Sequence, residues 1–299
     1  MKYLFAVLRE MRIHQYTKNI LVFAGLLFGG KVFQTNALLP NFLMFAAFCF
    51  TASGIYFMND LLDIEKDQKD PKKSKRPIAA GEISQRNAAI ISISLLMGGI
   101  LLALQISVAC TSLLLSYIVV NLFYSFCGKH IVILDIMLIS YGFVIRAVSG
   151  VVAIESEITT WFLLCIMFLS LFLALGKRRN EFCVMLMLQK ERNSADGYGR
   201  KVLRQYNLPF IDSLLNIVTA AALVCYALFA MEAREKMGFL FTIPIVAYGL
   251  FYYLYIIYAK GEGGAPDELL YKDRTLVFIV LVYFLVVFFI RNVRFEVIG

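Results

Sequence analysis

The sequence predicts an all-α polytopic membrane protein of nine transmembrane helices, forming one domain over residues 1–299 with its N-terminus in the cytoplasm. Three observations predict it. Hydrophobic residues make up 60% of the chain and charged residues 17%, with a mean hydropathy of +0.74, whereas a soluble domain carries about 25% charge. The apolar residues are gathered into runs near the ~20 residues that a helix needs to cross a ~30 Å hydrocarbon layer. The lysines and arginines fall in alternate gaps between those runs, a one-sided pattern that fixes orientation.

The nine runs are 19–36, 41–59, 87–106, 108–126, 133–153, 158–176, 210–231, 238–259 and 275–291. The first is interrupted by Gly25, Gly29, Gly30 and Lys31, and the third and fourth are close enough to form a tight hairpin. Charges continue through Lys18 before the first run, and no small-residue cleavage site follows it. That run is therefore expected to remain in the protein and direct its insertion. With the N-terminus inside, segments 1–18, 60–86, 127–132, 177–209 and 260–274 are cytoplasmic and hold 23 of the 29 Lys and Arg. The opposite side holds five: Lys31, Arg234, Lys236, Arg291 and Arg294. A missed helix would scramble this asymmetry downstream. The two long cytoplasmic segments, 60–86 and 177–209, are expected to carry the cap of a cytoplasmic-face active site in a bacterial inner membrane.

The net charge of +8 would suggest nucleic acid in a soluble protein. Here the basic residues lie between apolar runs, where they set topology and meet anionic headgroups, so no nucleic-acid partner is expected. The six cysteines form no CxxC pair, and most sit in apolar stretches as small packing residues. His14 and His130 are too isolated for a zinc site or a catalytic dyad. Trp161 and many tyrosines near run ends fit an interfacial aromatic belt. Homo-oligomerisation stays open.

At the end of the second run the sequence reads Asn59-Asp60-Leu61-Leu62-Asp63-Ile64-Glu65-Lys66-Asp67. If the helix continues, Asn59, Asp63 and Asp67 stack at intervals of four and Asp60 joins them from three before Asp63. Oxygen ligands of this kind suit Mg²⁺, which is held by one or two carboxylates together with waters and substrate phosphates. Asp60, Asp63 and Asp67 are thus candidate metal ligands, Asn59 a candidate substrate contact, and a diphosphate leaving group the natural partner. The competing reading is a solvated acidic helix end paired with Lys66, Lys69, Lys72 and Lys73. Just downstream, Lys75-Arg76-Pro77-Ile78-Ala79-Ala80-Gly81 offers phosphate-binding bases, and Pro77 and Gly81 bracket a turn able to fold them back over the acids.

These two pieces resemble the UbiA superfamily of intramembrane prenyltransferases, whose N-D-x-x-D-x-x-x-D motif is followed by R-P-x-x-x-G. The resemblance implies a nine-helix UbiA-type bundle. Most members carry a second Asp-rich motif after helix 6. Here that segment is Gly176-Lys177-Arg178-Arg179-Asn180-Glu181-Phe182, and residues 177–209 hold eight basic residues against three acids. The chain is more similar to the decaprenyl-phosphate phosphoribosyltransferase branch, with its G-K-R-x-x-E segment, Tyr124-Ser125 through Lys129-His130, Leu134-Asp135-Ile136, Phe143 to Gly150 with Arg146-Ala147, and the opening Arg12 to Asn19.

That resemblance implies Mg²⁺-dependent attack of a polyprenyl phosphate oxygen on C1 of phosphoribosyl pyrophosphate (PRPP), with diphosphate leaving. Lys18, Lys75, Arg76, Lys129, Lys177, Arg178 and Arg179 are then available to two anionic substrates, with Tyr124 and Glu181 as further substrate contacts. Asp60 and Asp63 carry catalysis with the metal, and Asp135 is a candidate for stabilising charge on the ribosyl ring. Asp135 and Arg146 are eleven residues apart on the fifth helix, about 16 Å at 1.5 Å per residue. A buried Arg in a span costs at least ~2.5 kcal/mol, so Arg146 is either a site residue or an inter-helix tie. Two other functions compete: a UbiA-type transfer from a prenyl diphosphate to an aromatic acceptor, and an anionic-lipid transporter. Against the first stands the missing second acid pair. Against the second stands the gathering of polar residues at one face, with no convincing internal repeat.

Overall fold

The computed structural model describes residues 2–70, 73–157, 159–192, 201–233, 235–260 and 273–292, which contain helices and no strand. Among the described residues, eight helices are long and apolar enough to cross a membrane: Thr35–Leu62, Gln85–Leu104, Val108–Phe126, Leu134–Ala153, Thr160–Met187, Leu208–Glu232, Lys236–Lys260 and Arg274–Arg291. Large apolar side chains stand exposed along them, among them Leu101, Val119, Ile217, Phe278 and Leu285. Water would penalise such surfaces, and a hydrocarbon solvent does not.

The chain divides into two compact units: residues 1–26, 32–126 and 145–156 form the first, and residues 27–31, 127–144 and 157–299 the second. The first begins with α1 (Lys2–Glu10), followed by a 3₁₀ helix (Ile13–Phe23) that runs into α2 (Ala24–Phe28), whose last residues belong to the second unit. Then come α3 (Thr35–Leu62), α4 (Ile64–Lys69), α5 (Gln85–Leu104) and α6 (Val108–Phe126). Small residues let α3 and α5 approach closely, as in membrane helix pairs. A Cβ on Gly99 would fall 2.9 Å from the Ala47 carbonyl, and Ser92 Oγ donates to the Gly54 carbonyl at 2.7 Å. Ser84 caps α5 by accepting from the Asn87 amide at 3.3 Å.

The expected span at 19–36 is the point of departure. Its first residues belong to the 3₁₀ helix, Gly30 turns the chain with φ +64°, and α3 already starts at Thr35. Side chains three apart eclipse in 3₁₀ winding, so Tyr16, Asn19 and Val22 line one side. Tyr16 Oη bonds Ser53 Oγ at 2.8 Å, Asn19 Nδ2 donates to Cys49 Sγ at 3.2 Å, and Val22 is fully buried. At Gly150 a Cβ would lie 1.8 Å from the Val22 carbonyl oxygen, so only glycine allows this backbone approach. Asn41 Nδ2 donates to the Gly150 carbonyl at 3.0 Å and closes the same packing.

The second unit is built on α8 (Thr160–Arg192) packed along α9 (Leu208–Glu232), with α10 (Lys236–Leu240), α11 (Ile243–Tyr255), a π-helical turn (Ile256–Lys260) and α12 (Arg274–Asn292). α7 (Leu134–Ala153) contributes its first half to this unit and its second half to the first unit. Ile211, Leu215, Val218 and Ala222 form the inward stripe of α9, and Phe172, Leu175, Phe182 and Met185 that of α8. α8 continues as helix well past 177, so Lys177 through Glu181 stand on a helix where a loop was expected. Residues 193–200 of that expected loop, and 261–272 of the expected segment 260–274, lie outside the described residues.

Candidate active site

In the first unit the acidic motif is split by a break in the helix. α3 ends at Leu62, and Asp63 (φ −105°, ψ 14°) joins it to α4. The expected single face of Asn59, Asp63 and Asp67 is replaced by a pair two turns apart. Asp60 and Asp67 are both buried and both accept from Arg76 Nη1, at 3.0 and 2.6 Å. Lys73 Nζ stands 3.8 Å from Asp67 Oδ1. Arg76 gets there by the Pro77–Gly81 turn: Gly81 has φ +75°, and the amides of Glu82 and Ile83 return to the Pro77 carbonyl at 2.8 and 3.2 Å. Ile78 and Ile83 then anchor the turn beside Ala6, Phe57 and Ala88. Asp63 instead bonds Lys66 Nζ at 2.8 Å.

Two residues that the sequence reading missed complete this cluster. Arg12 Nη2 donates to Asp60 Oδ2, with its guanidinium 4.7 Å from the Tyr56 ring centroid. Arg12 adopts a left-handed conformation (φ 54°), and this turn carries the chain from α1 into the 3₁₀ helix. Glu10, at the end of α1, is only 1% exposed, and both its carboxylate oxygens are buried without a hydrogen-bonding partner. Burial, reinforced by the neighbouring Asp60 carboxylate, pushes its pKa up to about 8. Burial also raises Asp67, against the opposing pull of Arg76 and Lys73. Arg12 was visible as part of the opening Arg12–Asn19 segment. Glu10, one acid on a short helix with Leu4, Phe5 and Leu8 exposed, carried no such signal.

Among the described residues, no three His, Cys, Asp or Glu side chains converge as a ready-made metal site. Mg²⁺ does not need one, because it keeps waters and takes one or two carboxylates plus substrate phosphates. The donor set fits that requirement. The Asn59 Oδ1 and both Glu10 oxygens are buried and unpartnered beside Asp60. Asp63 pairs with Lys66, whose side chain is 79% exposed, and exposed pairs of this kind contribute about 0–1 kcal/mol.

Arg146, 6% exposed, donates through Nε to Asn19 Oδ1 and through Nη2 to Tyr117 Oη, both at 2.7 Å. It ties α7 to α6 and to the 3₁₀ helix. Lys18 Nζ lies 3.4 Å from Gln15 Oε1, which also accepts from Tyr56 Oη at 2.7 Å. Lys75 is exposed at the end of a short 3₁₀ turn, and Tyr124 stands in the last turn of α6.

The second unit gathers a different set. Arg178, 1% exposed, donates through Nε to Asp135 Oδ2 at 2.7 Å and through Nη1 to Glu181 Oε2 at 2.5 Å. The residue expected to meet a substrate phosphate is thus engaged with two carboxylates of the chain itself. It occupies the inward stripe of α8 between Leu175 and Phe182, where its charge is matched by the buried Asp135 and the half-buried Glu181. Asp135 is fully buried and also accepts from Tyr206 Oη at 2.8 Å. Arg179 Nε donates to Asp212 Oδ1 at 2.7 Å, and its guanidinium lies 4.2 Å from the Tyr258 ring centroid. Lys129 stands in the Gly128–His130 turn and Lys177 is half-buried on α8.

Helices of this length and an acid cluster flanked by guanidinium groups define a membrane enzyme of the UbiA type, and the chain belongs to the UbiA prenyltransferase family, which it matches over residues 19–270. It is 34% identical to the decaprenyl-phosphate phosphoribosyltransferase of Corynebacterium glutamicum, over 93% of this chain and 84% of that one. It is 31% identical to the enzyme of the same name from Mycolicibacterium smegmatis, over 93% of this chain and 89% of that one. Among solved structures it is similar to a UbiA homologue from Archaeoglobus fulgidus bound to DMAPP and Mg²⁺, with a TM-score of 0.72 and 18% identity over 98% of this chain and all of the other. At that identity the likeness concerns the fold.

Proposed function

We propose that the protein transfers 5-phosphoribose from PRPP to a polyprenyl phosphate of the decaprenyl type. The observation that carries this reading is the 34% identity to a decaprenyl-phosphate phosphoribosyltransferase over nearly the whole chain. The lack of a second acid pair in Lys177–Glu181 agrees with it. A phosphate oxygen of the lipid attacks C1 of PRPP, the bond from C1 to the diphosphate oxygen breaks, and C1 is inverted. Mg²⁺ held by Asp60, Asp63 and Asp67, with Asn59 and Glu10 beside them, would neutralise the departing diphosphate. Arg76 and Arg12, now paired with the acids, would be released to meet the diphosphate if a cation were bound by those carboxylates. Guanidinium groups suit that exchange because they bind phosphate in bidentate fashion. Lys18 and Lys75 supply further positive charge to PRPP, and Lys129 and Lys177 to the lipid phosphate.

The nine-span count remains our reading. A 3₁₀ helix rises about 2.0 Å per residue and an α-helix 1.5 Å, so Ile13–Phe23 with Ala24–Phe28 reaches about 30 Å, one hydrocarbon thickness. The N-terminus and the acid cluster then face the cytoplasm, as the Lys and Arg distribution favours.

The test uses membranes containing the full chain, labelled PRPP, decaprenyl phosphate and Mg²⁺. A labelled lipid should form, fall at least about a hundredfold with EDTA, and return when Mg²⁺ is restored in excess. Labelled lipid from a prenyl diphosphate and an aromatic acceptor, with none from PRPP, would move the protein to the aromatic prenyltransferase reading.

A further inference from the structure

We propose that Tyr206 is a positioning residue that holds the Gly128–Ile133 turn, and with it Lys129, in a backbone conformation the turn would not keep by itself. Ile133 has φ +69°. Only glycine enters this left-handed region without steric cost, and for a β-branched residue it is an outlier. Such a conformation persists where the surroundings over-determine it.

The surroundings here can be named. The Ile133 carbonyl accepts from the amides of Ile136 and Met137, both at 3.0 Å, so Ile133 opens α7. That position is ordinarily extended and filled by Ser, Thr, Asp or Asn. The Ile133 amide turns the other way and donates to Tyr206 Oη at 2.7 Å. The Tyr206 hydroxyl in turn donates to Asp135 Oδ1 at 2.8 Å, and the other oxygen of that carboxylate is taken by Arg178. Tyr206 is 4% exposed. The hydroxyl is thus fixed from one side by a buried ion pair and offers its lone pair to the strained amide. The Ile133 side chain is 43% exposed, so packing does not explain the conformation.

The inference rests on the phosphoribosyl-transfer reading only in what Lys129 meets, the lipid phosphate. Tyr206→Phe removes the hydroxyl and keeps the ring. Losing that bond should speed amide exchange across 128–134 about tenfold and raise KM for decaprenyl phosphate about tenfold, with kcat within about threefold. Adding Ile133→Gly, which removes the strain, should bring both values back to within about threefold of the parent. A general loss of structure would not be repaired by a glycine. Unchanged exchange in Tyr206→Phe, or no recovery in the double variant, overturns the proposal. Should Tyr206→Phe fail to fold, Ile133→Gly alone decides: slower exchange at 128–134 supports the proposal, and equal or faster exchange overturns it. If the parent protein transfers no phosphoribose at all, the functional reading falls while the exchange measurements still decide the role of Tyr206.

Discussion

Asp60→Ala should abolish phosphoribosyl transfer while leaving the protein folded. Asp60 is 5% exposed and stands at the centre of the acid cluster, between Arg12, Arg76 and Glu10. On the proposed metal site, its loss would remove the principal anchor for the ion that neutralises the developing diphosphate charge. Metal stabilisation of such charge contributes several kcal/mol, so turnover should fall by at least about a thousandfold, or ~4 kcal/mol. The fold should tolerate the change because Arg76 retains Asp67 at 2.6 Å and Arg12 keeps its place 4.7 Å from the Tyr56 ring centroid. The check is single-turnover transfer in membranes alongside the thermal midpoint of the purified protein. Asp60→Ala with near-normal transfer would remove Asp60 from the metal set.

Asp135→Ala should do the reverse, costing the fold more than the chemistry. Arg178 would remain 1% exposed with one of its two carboxylate partners gone. Breaking a buried ion pair on one side costs about 3–5 kcal/mol, because the remaining charge stays in a poor solvent, whereas replacing both partners by apolar groups is often neutral. Asp135→Ala and Arg178→Met should therefore each lower the thermal midpoint and the yield of folded protein. The double variant should be more stable than Asp135→Ala. A double variant no better than the worse single would mean that the pair is held for something other than charge compensation.

The two cases show what was legible in the sequence. The membrane spans beyond residue 35 were, because a run of about 20 apolar residues has few other uses. The return of Arg76 to the acids was also legible, since Pro77 and Gly81 encode the turn locally. Arg178 was not. A basic residue at a helix end looks the same whether its partner is a phosphate or an aspartate 43 positions away in sequence. Its register between Leu175 and Phe182, on the stripe that packs inward, was the signal that could have marked it as buried. Glu10 escaped for a similar reason: its meaning depends on the left-handed turn at Arg12, which no local residue type announces. The break at Asp63 was hidden too, because helix-favouring residues flank it on both sides.

The 3₁₀ winding of Ile13–Phe23 has a bearing on how this chain can vary. In that geometry each residue advances the chain about 2 Å and turns it by about 120°. An exchange of one side chain for another leaves the three-residue rhythm of Tyr16, Asn19 and Val22 intact. A one-residue deletion would not: it would draw Arg12 and Glu10 back from Asp60 and swing them a third of a turn around the axis. The stretch thus acts as a spacer whose residue count sets where Arg12 stands relative to the Val22 backbone that packs on Gly150.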